Sequence, residues 1–295
     1  MDERKIPQRL GWALFMMVLV TNGLEIGLGI YAGIKLPSFA SSNWFGLGLT
    51  VIGFYLCGFP LFLLLTRRIP MMKLTQEHLN LREICDIYLV CMALGYAFSF
   101  LGTLVNAVIS SFTGIETLNP VAEMAETAGV IPMAIVAGII APIIEETVFR
   151  GVVLRGMLPY GEKTAVWFSA IAFGLLHMNL YQFFYAVAIA VVFGHVYVKT
   201  GSLRGTVILH IMVNMTSTIV VPLITGISDS FLGIFVLGVI LSGMSLWIKC
   251  RRGITEETVK RKEELLGLHE SRIWLNTGST AYCLLCIAGM VYSLM

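Results

Sequence analysis

A chain of 295 residues that is 57% hydrophobic and only 13% charged, with mean hydropathy +0.84, lies outside the range of soluble globular domains and reads as a polytopic membrane protein. A net charge of +2 gives no basis for a nucleic-acid partner. The six cysteines follow neither an extracellular disulfide framework nor a structural zinc pattern.

Nine apolar stretches, 11–34, 44–66, 87–112, 130–158, 164–181, 182–198, 206–224, 231–249 and 278–295, have roughly the 17 to 25 residues a helix needs to cross a bilayer. The expected fold is an all-α polytopic membrane protein, one domain over 1–295, with about nine transmembrane helices around a polar cavity. The first stretch, after MDERKIPQR, is too long for the apolar region of a cleaved signal and lacks a small-residue cleavage site. It is expected to stay as the first span.

Lysine and arginine set the orientation. With the N-terminus cytoplasmic, every Lys and Arg falls on the inner side except Lys35, which is outside, and Arg150, which lies within a span. The longest outer loop, 113–129, carries Glu116, Glu123 and Glu126 and no basic residue. An odd number of spans then leaves the C-terminus outside, in a plasma membrane of bacterial type.

Between spans, 71–86 mixes leucines with charges and is expected to form a short amphipathic helix at the inner surface, with His78 solvated. Residues 253–271 pair Glu256 with Lys260 and Glu257 with Arg261 at i,i+4, acid before base, as an inner helix would. In the first span Gly29 and Gly33 form GxxxG, a sign of close helix packing. Glu25 has no evident role there, but Asn22, three residues earlier, turns the same face toward the bundle. Cys283 and Cys286 spell CxxC within an apolar run, where they read as small packing residues.

The stretch APIIEETVFRG, 141–151, puts Glu145, Glu146 and Arg150 inside a span, where each ionisable group costs at least a few kcal/mol. Glu146 and Arg150 are four apart and can pair on one helical face, whereas Glu145 points about 100° away. Pro142 removes a backbone hydrogen bond to the Gly138 carbonyl and is expected to bend the helix beside the carboxylates. By itself this cluster fits a wet cavity, a buried packing network or the counter-ions of a transporter.

Other polar groups in the spans are few: His177, His195, and His210 with Asn214, the last two on one face at i,i+4. HExxH is absent, aspartates are confined to Asp2, Asp86 and Asp229, and no serine sits in GxSG. That removes the two-histidine zinc helix, an aspartyl dyad and rhomboid-type serine chemistry. Water activated by a carboxylate or by a metal is left, since a carboxylate in a low-dielectric cavity is a stronger base than in water.

Glu145-Glu146-x-x-x-Arg150, Phe173-x-x-x-His177 and His210-x-x-x-Asn214 resemble the three motifs of the CPBP family, the type II CAAX prenyl endopeptidases and bacterial bacteriocin-processing and immunity proteins. The likeness covers 130–224, the expected catalytic core, and includes TGSLRGTVILH before the third motif. It implies a helical bundle around a conical cavity and endopeptidase cleavage in or at the membrane. By this resemblance Glu145 is the general base and His177 shares water activation. His210 and Asn214 hold the water or oxyanion, and Glu146, Arg150 and Phe173 support the site. His195 matches no motif position.

Two questions stay open at this level. Counted at about 1.5 Å per residue from the inner ends, Glu145 and His177 are some 20 Å deep but His210 only about 6 Å, so a kink, a deeply entering 199–205 loop or a shifted span end must close the gap. Glu145, His177 and His210 also have the donor types of a catalytic zinc site; a metal-free glutamate mechanism is the expectation and a divalent metal the alternative. The expected partners are a peptide or protein substrate presented from the membrane and the lipid bilayer. A proton-coupled transporter and a non-catalytic immunity or scaffold protein are the competing readings.

Overall fold

The computed structural model describes residues 5–115, 117, 119–254 and 274–295. We number its helices α1 (Ile6–Lys35), α2 (Phe45–Thr66), α3 (Leu81–Thr113), α4 (Pro120–Ala128), α5 (Val130–Tyr160), α6 (Glu162–Leu176), α7 (Leu180–Thr200), α8 (Leu203–Ile227), α9 (Asp229–Ile254) and α10 (Thr277–Tyr292). Among the described residues there is no strand. Six of the helices, α1, α2, α3, α5, α7 and α8, are long and apolar enough to cross a membrane. The chain is an integral, multi-pass membrane protein: six of the nine expected stretches fall on these six helices, and 164–181, 231–249 and 278–295 fall on α6, α9 and α10, which do not meet that length and apolarity. The inner helix expected over 253–271, with its Glu256–Lys260 and Glu257–Arg261 pairs, lies almost wholly outside the described residues, as does Glu116.

Side-chain caps define several helix starts, because the first backbone N–H groups of a helix have no partner within it. Asn80 and Glu83 form a reciprocal box at α3, Asn80 Oδ1 accepting from the Glu83 amide at 3.0 Å and Glu83 Oε2 from the Asn80 amide at 2.9 Å. That box starts the helix at Leu81, so residues 71–80 do not form the expected amphipathic helix. They run as irregular chain instead, pinned by the Glu77 amide donating to the Thr200 carbonyl at 2.7 Å and by Arg155 Nε donating to Met72 O at 3.0 Å. His78 is exposed, as expected.

Prolines shape the long helices. Widened, π-type turns over Val51–Gly58, Val136–Ile140 and Thr216–Val220 each end two residues before a proline: Pro60, Pro142 and Pro222. A proline has no N–H and its ring crowds the carbonyl four residues back, so a wider turn accommodates it. In α5 the Ala141 amide reaches back five residues to Val136 O. In that register the carbonyl facing Pro142, and left without an amide, is that of Ala137 rather than Gly138.

Close helix packing occurs at different glycines from those anticipated. Gly29 meets only Leu49 Cδ1 at 3.8 Å and Gly33 nothing within 4 Å. One tight crossing is between α1 and α10, where a Cβ on Gly11 would run into the backbone of Gly278 and Ser279, and one on Gly278 into Gln8 O. In a bilayer such backbone-to-backbone approach gains dispersion contacts that larger side chains prevent. Cys283 and Cys286 are both free thiols on α10.

Candidate active site

The centre of the site is an ion pair without solvent access. Glu146 and Arg150 are both 0% exposed, and Arg150 Nη1 lies 3.0 Å from Glu146 Oε1. Arg150 Nη2 donates to Ala190 O on α7 at 3.3 Å, and its guanidinium lies against the rings of Phe173 (5.1 Å) and Phe193 (5.4 Å). A buried arginine is tolerable only when its charge is balanced and its planar faces are covered. The i,i+4 spacing forecast the pair; Phe193 was missed, and no local pattern marks it.

His210 joins this pair to Glu145. Its Nδ1 donates to Glu146 Oε1 at 2.9 Å, and its Nε2 faces Glu145 Oε2 at 3.6 Å. Since a carboxylate only accepts, Glu146 fixes the hydrogen on Nδ1. Nε2 is thereby aimed at Glu145, and a proton can be held between the two groups. The depth mismatch is resolved by the α7–α8 turn. α8 begins at Leu203, not 206, and the turn around Gly201 (φ +60°) is buried beneath Leu74 and Thr75. The helix thus starts within the protein, which raises His210 to the level of the carboxylates.

His177 ends α6. Its Nδ1 donates to Phe173 O at 3.0 Å, so in the neutral ring Nε2 is left as an acceptor. Phe173 meets His177 edge-on at 5.0 Å and His210 at 5.8 Å, besides Arg150, which explains why an aromatic belongs at that position. The turn after His177 is held by Asn179, which donates to His177 O at 2.7 Å and caps α7 through the Gln182 amide at 2.9 Å. Met178, between them, has φ +52°, a conformation unfavourable for a residue with a side chain and often found at functional sites.

Glu145 and His177 line one cavity of about 300 Å³ together with Thr21, Asn22 and Glu25 of α1, Thr50 and Tyr55 of α2, and Met178. The inward face of α1 was legible from Asn22 and Glu25; the contribution of Thr50 and Tyr55 was not. Asn214 lies apart from this opening in its bonding: its Nδ2 donates to Ala137 O at 2.8 Å, the carbonyl that faces Pro142. His195 is exposed, with Nδ1 bonded to Val191 O of its own helix at 2.8 Å.

A divalent metal needs three convergent protein donors and an open position. Among the described residues no three His, Cys, Asp or Glu side chains converge as ligands. As arranged, the set does not fit a three-ligand zinc site.

Fold and site together define a helical membrane protein with a buried Glu–His–Arg network opening on a polar cavity. Residues 127–216, which carry all three motifs, match the family model "Type II CAAX prenyl endopeptidase Rce1-like". Over 105 residues it is 30% identical to "Putative membrane peptidase YdiL" of Bacillus subtilis (strain 168), a match covering 34% of this chain and 42% of that protein. The chain thus aligns with less than half the length of this curated relative. No solved structure matches it.

Proposed function

We propose that this chain is an intramembrane endopeptidase that hydrolyses a peptide bond of a membrane-delivered peptide or protein, with water activated by Glu145 and His177. The observation that carries the reading is that these two groups, from α5 and the end of α6, line one cavity while His210 faces Glu145 through Nε2. A water between them would donate one hydrogen to Glu145 and the other to His177 Nε2. Glu145 takes the proton as the water oxygen attacks the scissile carbonyl, and returns it to the amine as the C–N bond breaks. His210, its Nδ1 held by Glu146, stores or relays that proton and polarises the developing oxyanion. Asn214 keeps a second amide hydrogen beyond the one given to Ala137, and its first role is to hold α5 in shape around Pro142.

Glu146 and Arg150 act through His210, fixing its tautomer and offsetting the charge of two adjacent carboxylates. The chemistry runs through the protein's own carboxylates and imidazoles. The bilayer delivers the substrate, in a bacterial-type plasma membrane with the N-terminus cytoplasmic.

The test is cleavage of a quenched-fluorescent peptide library by the purified protein in liposomes prepared in ¹⁸O-water, with products weighed by mass spectrometry. One ¹⁸O in each new carboxyl terminus is the expected result. Proton-driven uptake of a solute without peptide products would contradict the proposal.

A further inference from the structure

Glu25 lies on α1, outside the segment that matches the family, yet lines the same cavity as Glu145 and His177. Thr50 of α2 lines the cavity beside it. Gly53 of α2 lets the two helices close on it, because a Cβ there would sit 3.1 Å from Glu25 Cγ and from Thr21 O. Among the described residues no Lys, Arg or His forms an ion pair with Glu25, and no Lys or Arg lines the cavity. A carboxylate at this depth with no cation beside it marks a site that something else completes.

The hydrogen-bonding inventory says what that is. Asn22 gives its amide hydrogens to Val18 O at 2.9 Å and Met178 Sδ at 3.6 Å, which leaves Oδ1 as an acceptor. Thr21 donates to Gly53 O at 3.3 Å. His177 donates to Phe173 O and keeps a bare Nε2 in its neutral form. Apart from the Thr50 and Tyr55 hydroxyls, the polar lining therefore consists of acceptors, two of them carboxylates. An ammonium or guanidinium group has only donors and the opposite charge.

We propose that Glu25, with Asn22, forms a cation subsite that accepts a lysine or arginine side chain of the substrate close to the scissile bond. The proposal rests on the peptidase reading and gives it a substrate class: apolar, membrane-delivered peptides with one basic residue beside the cleaved bond. The basic side chain neutralises Glu25 in the cavity it shares with Glu145 and leaves Glu145 to the water. Because Glu25 binds substrate away from the reacting atoms, its loss changes which peptide is cut.

The experiment has two arms, both with full-length protein in detergent. In the first, kcat/KM is compared for matched peptides carrying Lys, norleucine or Glu at each position flanking the cleaved bond. The wild type should prefer Lys over norleucine by about tenfold or more, the weight of a charge-assisted hydrogen bond. In Glu25→Gln that ratio should collapse toward one, and in Glu25→Lys the Glu peptide should gain on the Lys peptide. A wild type without preference, or an equal loss on all peptides in Glu25→Gln, overturns the subsite.

The second arm requires no hydrolysis. Binding of an N-acetylated, C-amidated Leu-Lys-Leu peptide is measured against its norleucine analogue by thermal shift, in wild type, Glu25→Gln and Glu145→Gln. Selective binding of the lysine peptide that is lost in Glu25→Gln and kept in Glu145→Gln supports the subsite even if no peptide is cleaved, a result that would sink only the peptidase reading. Equal binding of both peptides by the wild type overturns the subsite whatever the turnover.

Discussion

His210 donates through Nδ1 to Glu146 Oε1 at 2.9 Å, the same oxygen that Arg150 approaches at 3.0 Å. One carboxylate oxygen thus links α5 to α8 and fixes which face of the imidazole looks at Glu145. Charge compensation and tautomer choice are the same contact here.

Glu146→Gln should therefore damage folding as well as the site. It leaves the Arg150 charge buried without its partner, which costs about 3–5 kcal/mol when one member of a buried pair is removed. Thermal unfolding in detergent should show this loss, and the double variant Glu146→Gln/Arg150→Met should cost less than the two single changes added together. Additive costs would show that the pair does not act as a unit.

Asn214→Ala should strand the Ala137 carbonyl beside Pro142, a loss of about 1–3 kcal/mol for a buried acceptor left unpaired. In a Pro142→Ala background residue 142 regains an N–H that can serve this carbonyl, so the cost of Asn214→Ala should shrink there. Unfolding midpoints of the four-member cycle measure the coupling. Stability restored without restored activity would separate a direct part of Asn214 in the chemistry from its hold on α5.

Gly11→Leu should prise α1 from α10, since even a Cβ at this position meets the backbone of Gly278 and Ser279. Overpacking of this kind costs about 1–3 kcal/mol. The same change at Gly33, which has nothing within 4 Å, should be close to neutral. Both can be read from the unfolding midpoint, and equal effects at the two positions would mean that the α1–α10 crossing is not where these helices pack tightly.

Exhaustive dialysis of active protein against a chelator should leave hydrolysis within about twofold of the starting rate, because Glu145, His177 and His210 do not converge as metal ligands. Elemental analysis of the same sample, with Glu145→Gln as control, checks this. Stoichiometric zinc whose removal abolishes activity and whose return restores it would contradict the metal-free chemistry.

What the sequence revealed followed the range of each physical signal. Glu146 and Arg150 are four apart on one helix, so their pairing is local and could be read directly, as could the shared face of His210 and Asn214. The partner of Asn214 could not: Ala137 is orphaned only because α5 widens before Pro142, and register is decided by the whole helix. The lining from Thr50 and Tyr55 depends on how α2 crosses α1, which no spacing encodes. Residues 71–80 looked amphipathic because leucines and charges alternate there, but the Asn80–Glu83 box and the Glu77–Thr200 hydrogen bond outweigh so short a pattern. The depth of His210 was misjudged because a turn buried under Leu74 and Thr75 was counted as lying at the membrane surface.

The central claim is that Glu145 and His177 act on one water, and the direct measurement is the single-turnover cleavage rate of a membrane-inserted peptide by wild type, Glu145→Gln and His177→Ala, each verified as folded by its unfolding midpoint. Losing a general base or its partner should lower the rate by about 10²- to 10⁴-fold in each variant, with the double variant little worse than either alone. Cleavage in both single variants within about threefold of wild type would contradict the account.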